Sequence, residues 1–186
     1  MTVMPDVTRA ITMDVKRPGD VVIVVGETRD ELGGSEYLGL LARSGGRTPR
    51  VDKYLSKPIL HAVAACTKAG VVNAAHDCSD GGLGVCLAEM AFAGGFGLDI
   101  DADLVPRATS IQRLDTLLFS ESNSRIVLTV PVTQIAQAEQ ILAAVPHARI
   151  GSVVAQPDLR ISGLGGSLSA PLAGLKEAWQ GTLRSV

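Results

Sequence analysis

The sequence predicts an α/β (α+β) fold in which helices pack on a mixed β-sheet. The first observation behind this prediction is that β-rich runs and segments of helical periodicity alternate along the chain. The second is composition: 46% of the residues are hydrophobic but only 3% are aromatic, which indicates a core of Ala, Val, Leu and Ile. A length of 186 residues suits one domain that can bury a substantial core.

The first half of this pattern begins with a strong strand. Residues 21–25 form an unbroken β-branched run, which is typical of a strand covered on both faces. The glycine-rich stretch after it leaves room for one short helix, from Ser35 to Leu41. A longer helix is expected to begin at Ser56 as N-cap and to stop at Gly70.

The middle of the chain predicts a strand, a tight turn and a helix in direct succession, over residues 71–76, 77–82 and 83–93. The alternation in residues 97–101 then indicates a half-exposed strand. The remaining predicted elements are a short helix over 111–118, a strand over 125–130, a helix over 133–145, strands over 149–154 and around Leu159 and Ile161, and a turn at 163–166.

Charge and composition exclude several classes of function. The net charge is −2 and no basic block is longer than the pair Lys16-Arg17, so nucleic acid and anionic membranes are disfavoured as partners. The three cysteines lack CxxC spacing and lie in apolar runs, which suits reduced, buried thiols. The first 20 residues lack the apolar stretch of a signal peptide, and we expect a cytoplasmic protein.

The most informative segment is the turn that leads from the strand into the helix at Leu83. Asp77, Ser79, Gly81 and Gly82 could hold a phosphate, or a magnesium-bridged phosphate, against backbone N–H groups and the positive end of the helix dipole. In the alternative interpretation Asp77 or Ser79 only caps the helix while the glycines supply positive φ. The residues alone favour this capping interpretation.

A second polar segment lies directly before the strand at 125–130. Glu121, Ser122, Asn123 and Arg125 offer groups suited to ribose, phosphate or amide hydrogen bonding. The alternative is an ordinary solvated loop.

A third segment, Leu32 to Tyr37, contains paired glycines that would let the backbone approach a ligand. In the alternative interpretation, which we favour, Ser35 caps a short helix that begins here. It is not a phosphate-binding loop of the GxxxxGK[ST] kind.

The histidines and cysteines do not form a recognisable catalytic set. His61, His76 and His147 share no metal-ligand spacing. Cys78 lies near His76 and Asp77, but such close neighbours on a strand do not make a nucleophile and base on their own. Covalent catalysis is therefore disfavoured, and no catalytic residue is assigned.

Three segments in this order, 19–37, 75–83 and 118–125, resemble the second C-terminal-type domain of the phosphoribosylformylglycinamidine synthase family, the PurL synthetase subunit. The turn at 77–83 is shared in looser form with aminoimidazole ribonucleotide synthase, selenophosphate synthetase, HypE and thiamine-monophosphate kinase. The Gly-Gly-Ser-Glu-Tyr segment at 33–37 is what points to PurL. The resemblance implies a fold like the C-terminal domain of aminoimidazole ribonucleotide synthase, with residues 1–18 as an extension from a preceding domain and 19–186 as the synthase-type domain.

The resemblance also implies a function. The family converts formylglycinamide ribonucleotide to formylglycinamidine ribonucleotide with ATP, magnesium and glutamine-derived ammonia, as a ligase of de novo purine biosynthesis. The implied partners are the N-terminal domains of the same enzyme, which carry the catalytic histidine and most ATP contacts, and a glutaminase subunit or domain. Without those partners we expect the 186 residues to be inactive as a synthetase.

In the family, the site residues belong to the first C-terminal-type domain. The resemblance implies matching positions in this chain, because the two C-terminal-type domains are related by internal pseudo-symmetry. Asp77 matches an acidic residue that contributes to magnesium binding, and Glu121, Ser122 and Asn123 match a Glu-Ser-Gln segment that contacts substrate. Because Asn123 replaces that Gln and Ser79-Asp80 replace smaller residues, an auxiliary nucleotide site and a structural interface both stay open.

Two other functions are kept as alternatives. The domain could be a non-catalytic scaffold whose exposed apolar surface leads to self-association as a homo-oligomer. It could also be the matching domain of aminoimidazole ribonucleotide synthase, against which the segment 33–37 argues.

Overall fold

A mixed seven-stranded sheet forms the middle of the domain in this computed structural model, which describes residues 6–184. Residues 1–5 of the predicted extension and residues 185–186 of the predicted domain lie outside the described residues. The strands are β1 (Val21–Val25), β2 (Ala74–Asp77), β3 (Gly97–Asp101), β4 (Ile126–Val130), β5 (His147–Val154), β6 (Asp158–Gly163) and β7 (Gly166–Pro171). They lie in the order β2-β4-β1-β5-β3-β6-β7, and β3 and β6 run parallel whereas the other neighbours are antiparallel.

Helices cover both faces of this sheet, which confirms the predicted fold class. They are α1 (Glu36–Leu40), α2 (Lys53–Ala69), α3 (Gly82–Gly94), α4 (Leu114–Phe119), α5 (Ile135–Leu142) and α6 (Leu172–Arg184). α2 and α5 pack together on one face, and α3 packs with α4 and α6 on the other. None of the helices in residues 6–184 is long and apolar enough to cross a membrane.

The central strand β1 lies between two hydrophobic cores. Val22 and Val24 belong to the core beneath α3, while Ile23 and Val25 belong to the core beneath α2 and α5. Successive side chains of a strand point to opposite faces, so an unbroken apolar run is what a strand buried on both sides requires. The prediction of a strand covered on both faces is confirmed.

The N-terminus of α2 was predicted wrongly at Ser56. Asp52 is the N-cap, and its carboxylate accepts hydrogen bonds from the N–H groups of Tyr54 and Leu55. The predicted end at Gly70 is confirmed, where φ is 70° and a glycine is favoured. Val71 donates its N–H to the carbonyl of Cys66 at the helix end, so β2 begins only at residue 74 instead of 71.

The end of the chain contains two elements that the sequence pattern did not predict, β7 and α6. The predicted turn at 163–166 is confirmed as the connection of the β6–β7 hairpin.

The half-exposed strand at 97–101 is confirmed by alternating burial in β3. The short helix predicted from Ile111 begins at Leu114, and Ile111 is buried ahead of it. The three cysteines are free and buried, as predicted.

Candidate functional site

One carboxylate oxygen joins the three polar segments of the sequence at the end of the sheet where β2 finishes and β4 begins. The Oε1 atom of Glu121 accepts a hydrogen bond of 2.9 Å from the N–H of Gly81 and one of 3.0 Å from the N–H of Glu36. Gly81 precedes α3, and Glu36 is the first residue of α1. The segments that the sequence singled out therefore form one structural unit.

The N-terminus of α3 is capped by a residue that is distant in the sequence. Gly81 is its N-cap, with φ at 76°, and no side chain of the turn itself caps the helix. The capping role considered for Asp77 and Ser79 is therefore wrong, because the carboxylate of Glu121 already lies where the helix dipole favours an anion. Ser79 instead donates its hydroxyl hydrogen bond to Oδ2 of Asp77.

The glycines of the turn are required by backbone geometry. Gly82 has φ at 65°, and a Cβ atom there would lie 2.5 Å from the carbonyl oxygen of Ser120. Its N–H bonds to the carbonyl of Ser79 at 3.0 Å. The N–H groups of Gly81 and Gly82 therefore both have acceptors within the protein.

The helix α1 begins as predicted. The hydroxyl of Ser35 accepts a hydrogen bond from the N–H of Leu38, which confirms it as the cap. Gly33 permits a close approach of two backbone segments, since its N–H bonds to the carbonyl of Arg47 at 2.7 Å and a Cβ atom would lie 2.7 Å from the same oxygen.

The loop before β4 is largely buried, so the alternative of an ordinary solvated loop is wrong for most of it. Ser120 and Ser122 are buried and bind the backbone of the loop after β1. The Ser122 hydroxyl accepts from the N–H of Arg29 at 2.9 Å, and the Ser120 hydroxyl accepts from the N–H of Glu31 at 3.3 Å. Asn123 is exposed.

Arg125 is buried behind the loop that precedes β4. It is only 1% exposed. Its guanidinium donates to the carbonyls of Ser120 and Ser122 and, at 3.0 Å, to the hydroxyl of Thr28. Its position in the fold makes it a support for the loop, and any effect on a ligand would pass through that loop.

A cleft of about 490 Å³ lies between the turn and this loop, beside α2. Asp77, Asp80 and Asn123 line it with exposed polar groups, and the Asp77 side chain is 70% exposed. Ser124, with φ at 64°, donates its hydroxyl to that of Ser56 in α2, at 2.6 Å. The structure thus brings most of the predicted residues of both segments to one cleft, but Gly81, Gly82 and Ser122 are not among its lining residues.

The surface of the cleft is acidic. The hydrogen bond from Ser79 lowers the pKa of Asp77, with a smaller effect from His76, so that this carboxyl is ionised at neutral pH. Asp80 and Glu121 also line the cleft, and the cationic side chain among its lining residues, Arg125, is buried. A free phosphate would be repelled here, whereas a cation, or a phosphate carrying one, would be attracted.

The residues fit magnesium in one specific way. Magnesium is commonly held by one or two carboxylates together with the phosphates of its nucleotide, and the exposed carboxylate of Asp77 suits that arrangement. Within residues 6–184 no group of three or more His, Cys, Asp and Glu side chains could hold a metal ion by itself. Asp77 could therefore hold a cation that a phosphate also binds, whereas the described residues supply no complete set of metal ligands.

His76 belongs to a network behind the cleft that the sequence did not reveal. Its Nε2 atom lies 2.7 Å from Oε2 of Glu89 in α3, and Oε1 of Glu89 accepts a 3.0 Å hydrogen bond from the indole of Trp179 in α6. This network joins β2, α3 and α6. Its partners are far apart in the sequence, which explains why no local pattern indicates it.

The chain is similar to known proteins over most of its length. A family described as "AIR synthase related protein, C-terminal domain" matches residues 17–163. The phosphoribosylformylglycinamidine synthase subunit PurL of Deinococcus radiodurans is 34% identical over 192 residues, covering 99% of this chain and 25% of that protein. PurL of Moorella thermoacetica is 44% identical over 133 residues, covering 68% and 17%. The chain thus spans about a quarter or less of these relatives.

Solved structures show the same fold at lower identity. Thermotoga maritima PurL complexed with ATP has a TM-score of 0.74 at 20% identity, and the match covers 90% of this chain and 27% of that chain. HypE of Escherichia coli has a TM-score of 0.62 at 24% identity, covering 85% and 50%. Both comparisons support the mixed sheet with helices on its two faces.

Proposed function

The chain belongs to the AIR synthase related protein C-terminal domain family, and from that premise we propose that it serves as the second C-terminal-type domain of a PurL-type phosphoribosylformylglycinamidine synthase. PurL subunits from several organisms match most of its length. They favour PurL over the matching domain of aminoimidazole ribonucleotide synthase. The single observation from the fold that carries the proposal is the acidic cleft at which the three family-like segments meet through Glu121.

The proposed reaction converts formylglycinamide ribonucleotide to its amidine. ATP with magnesium would supply the phosphoryl group that activates the amide oxygen, and ammonia derived from glutamine would displace it. The substrate and the nucleotide are suggested by PurL structures described as complexes with FGAR and with ATP. The N-terminal domains and a glutaminase are the proposed partners, and the 186 residues alone are proposed to lack synthetase activity. A cytoplasmic location goes with this function, and the three free thiols support it.

Within that reaction the chain's own residues would hold a cation-bound phosphate at the cleft. Asp77 would bind the cation, because its carboxyl is ionised and exposed. Ser79 would orient that carboxylate, and Asn123 would contact the nucleotide or the substrate. Glu121, Ser122 and Arg125 would contribute by fixing the loop, since their polar groups are bonded within the protein.

This proposal is tested by calorimetric titration of the chain with ADP in the presence and absence of magnesium. Asp77→Asn removes the negative charge but keeps the size of the side chain, and we expect it to weaken the magnesium-dependent affinity by about tenfold, or about 1.4 kcal/mol. Asp99→Asn is the matched control, since Asp99 is an exposed carboxylate on β3 paired with Arg160. Binding that ignores magnesium, or that is equal in the wild type and Asp77→Asn, would contradict the proposed site.

A second candidate function, a scaffold that docks other domains, is favoured by large apolar side chains that are exposed between residues 40 and 60. Leu40 and Tyr54 are 86% and 81% exposed, and Val51 and Leu60 are also largely exposed. Where such side chains form one contiguous patch, they mark an interaction surface. Both functions fit a domain of a longer protein, and Leu60 lines the cleft itself.

Sedimentation of the chain over a range of concentrations measures its self-association and so tests this second function. We expect the wild-type chain to self-associate and Leu40→Gln with Tyr54→Ser to reduce that association without weakening ADP binding. Val132→Gln is a control at another exposed apolar position, in the turn after β4. A strictly monomeric wild-type chain would argue against the scaffold.

A further inference from the structure

A second cleft, of about 570 Å³, lies where the loop after β1 meets the segment before α2. We call it the arginine cleft, because Arg29, Arg47 and Arg50 are among its lining residues. The remaining lining residues are Glu27, Asp30, Glu31, Thr48, Ala108 and Ser110. Among the described residues, none lines both this cleft and the one at Asp77, so the proposed nucleotide site does not account for it.

Glu31 brings to the arginine cleft a buried carboxylate that is bonded at only one of its two oxygens. The residue is 6% exposed. Its Oε1 atom accepts a 3.2 Å hydrogen bond from the N–H of Arg50, whereas Oε2 is buried and has no hydrogen-bond partner within residues 6–184. Buried charged oxygens are almost always paired, so an unpaired one in the wall of a cleft points to a donor that a ligand would supply.

The main chain holds Glu31 in this wall. Its N–H donates to the hydroxyl of Ser120, and its carbonyl accepts from the N–H of Glu121, both at 3.3 Å. The unpaired oxygen therefore belongs to a fixed residue and not to a mobile side chain at the surface.

The arginines at the mouth of the cleft are available to an anion. Arg47 and Arg50 are exposed, and within the part of the chain that the structure describes neither guanidinium has a hydrogen bond or an ion pair. Arg149, by contrast, holds Glu139 through two hydrogen bonds of 2.6 Å. Exposed side chains change rotamer on the order of nanoseconds or faster, so Arg47 and Arg50 can move aside to admit a ligand to Glu31 and then bind its anionic end.

The charges of the arginine cleft indicate the class of ligand. Three carboxylates stand against three guanidinium groups, so a ligand of a single charge would be repelled by one of the two sets. Because Oε1 of Glu31 is already bonded to Arg50, the free Oε2 suits one N–H of an ammonium group better than a guanidinium, which binds both oxygens of a carboxylate. A metal ion is disfavoured, since the described residues contain no group of three His, Cys, Asp and Glu side chains that could hold one.

We propose that the arginine cleft binds a small amino acid, whose ammonium group bonds to Oε2 of Glu31 and whose carboxylate is held by Arg47 and Arg50. One ligand thereby supplies the donor that the buried oxygen lacks and the anion that the two guanidinium groups lack. Arg50 joins the two ends of the site, because its N–H bonds to Glu31 while its side chain lines the cleft. The site is separate from the nucleotide site proposed above.

The experiment is an NMR titration of the isotope-labelled full chain with γ-aminobutyrate, followed through the backbone N–H signals. Butylamine, which lacks the carboxylate, and butyrate, which lacks the ammonium group, are the matched probes. We expect γ-aminobutyrate to bind with a Kd of about 1 mM and to shift the signals of Glu31 and Arg50, and each matched probe to bind about tenfold more weakly or less. An absence of binding, equal affinity for the three probes, or shifts confined to residues 77–82 would overturn the proposal.

Variants test the two ends of the site separately. Glu31→Gln keeps an oxygen for the N–H of Arg50 but removes the charge, and we expect it to weaken γ-aminobutyrate binding by about tenfold. Arg47→Gln with Arg50→Gln should weaken it by a similar factor. Arg43→Gln is the matched control, because Arg43 is an exposed arginine of the same loop that is not among the lining residues, and it should bind like the wild type.

Circular dichroism reports whether each variant folds. Because Arg47 and Arg50 are exposed, their double variant remains a test even if Glu31→Gln does not fold. Wild-type affinity in that double variant, or in a folded Glu31→Gln, would overturn the proposal. Asp77→Asn should bind γ-aminobutyrate like the wild type, so that failure of this site and failure of the nucleotide site are distinguishable.

Discussion

The two walls of the cleft have similar polar sequences but use their polar groups in opposite ways. In the loop wall, Ser120, Ser122 and Arg125 are buried and direct their hydrogen bonds into the protein. In the turn wall, Asp77 and Ser79 are exposed, and they bond to each other at the surface. A buried polar group must be paired to avoid a desolvation cost, whereas an exposed one can keep its capacity for a ligand. The difference indicates that the loop stabilises the cleft and the turn is where a ligand would bind.

Removal of the Arg125 guanidinium should have the largest effect on stability. Arg125→Met keeps much of the apolar stem but leaves the carbonyls of Ser120 and Ser122 buried without their donor, and we expect a loss of about 3–5 kcal/mol. The measurement is urea unfolding followed by circular dichroism. Arg149→Met is the control, because Arg149 makes a two-point ion pair with Glu139 at the surface and its loss should change stability little. Equal effects of the two variants would remove the distinction between the walls.

Glu121 joins the two walls and should have an intermediate effect. Glu121→Ala leaves the N–H groups of Gly81 and Glu36 without their acceptor, and we expect a loss of about 1–3 kcal/mol in the free energy of unfolding. Glu121→Gln keeps an oxygen that can accept both hydrogen bonds and should lose less than half as much. If the two variants were equally destabilised, the charge of Glu121 at the start of α3 would matter more than its hydrogen bonds.

Asp77 should matter least for stability. Its pKa is lowered in the folded state, so its contribution is present above the ordinary pKa of an aspartate and is lost as pH falls through the lowered value. Because the side chain is 70% exposed, solvent screens this contribution and Asp77→Asn should change stability at pH 7 by less than about 0.5 kcal/mol. Unfolding curves from pH 7 down to about pH 3 should therefore nearly overlap for the two proteins. A loss comparable to that of Glu121→Ala would show that the turn, like the loop, is structural.

The sequence predicts those elements of the fold whose pattern is local. The β-branched run at 21–25 predicts β1, and the alternation at 97–101 predicts β3. β7 was missed because Gly, Ser and Pro weaken its strand pattern, and an edge strand that is half exposed needs little apolar sequence. The N-cap of α2 was placed four residues late because Ser56 and Asp52 are both suitable caps.

The three segments that meet at the candidate site could be singled out from local sequence, but the hydrogen bonds that join them could not. Local composition pointed to the turn, the loop and Ser35, and the structure brings these segments together. Nothing local indicates that Glu121 reaches Gly81 and Glu36, which are 40 and 85 residues away. The burial of Arg125 was equally hidden, since arginine is rarely buried and a buried one depends on acceptors supplied by the fold.

The place of β1 between two later strands of the sheet also affects how the chain is made. Its partners are β4 and β5, which follow it by about a hundred residues or more. At roughly 5–20 residues per second, a ribosome needs several seconds to supply them. During that time an uncharged, β-branched segment has both of its edges unpaired, which is the kind of sequence that chaperones shield and that aggregates form around. A strand that is buried on both faces in the finished domain is thus vulnerable during synthesis.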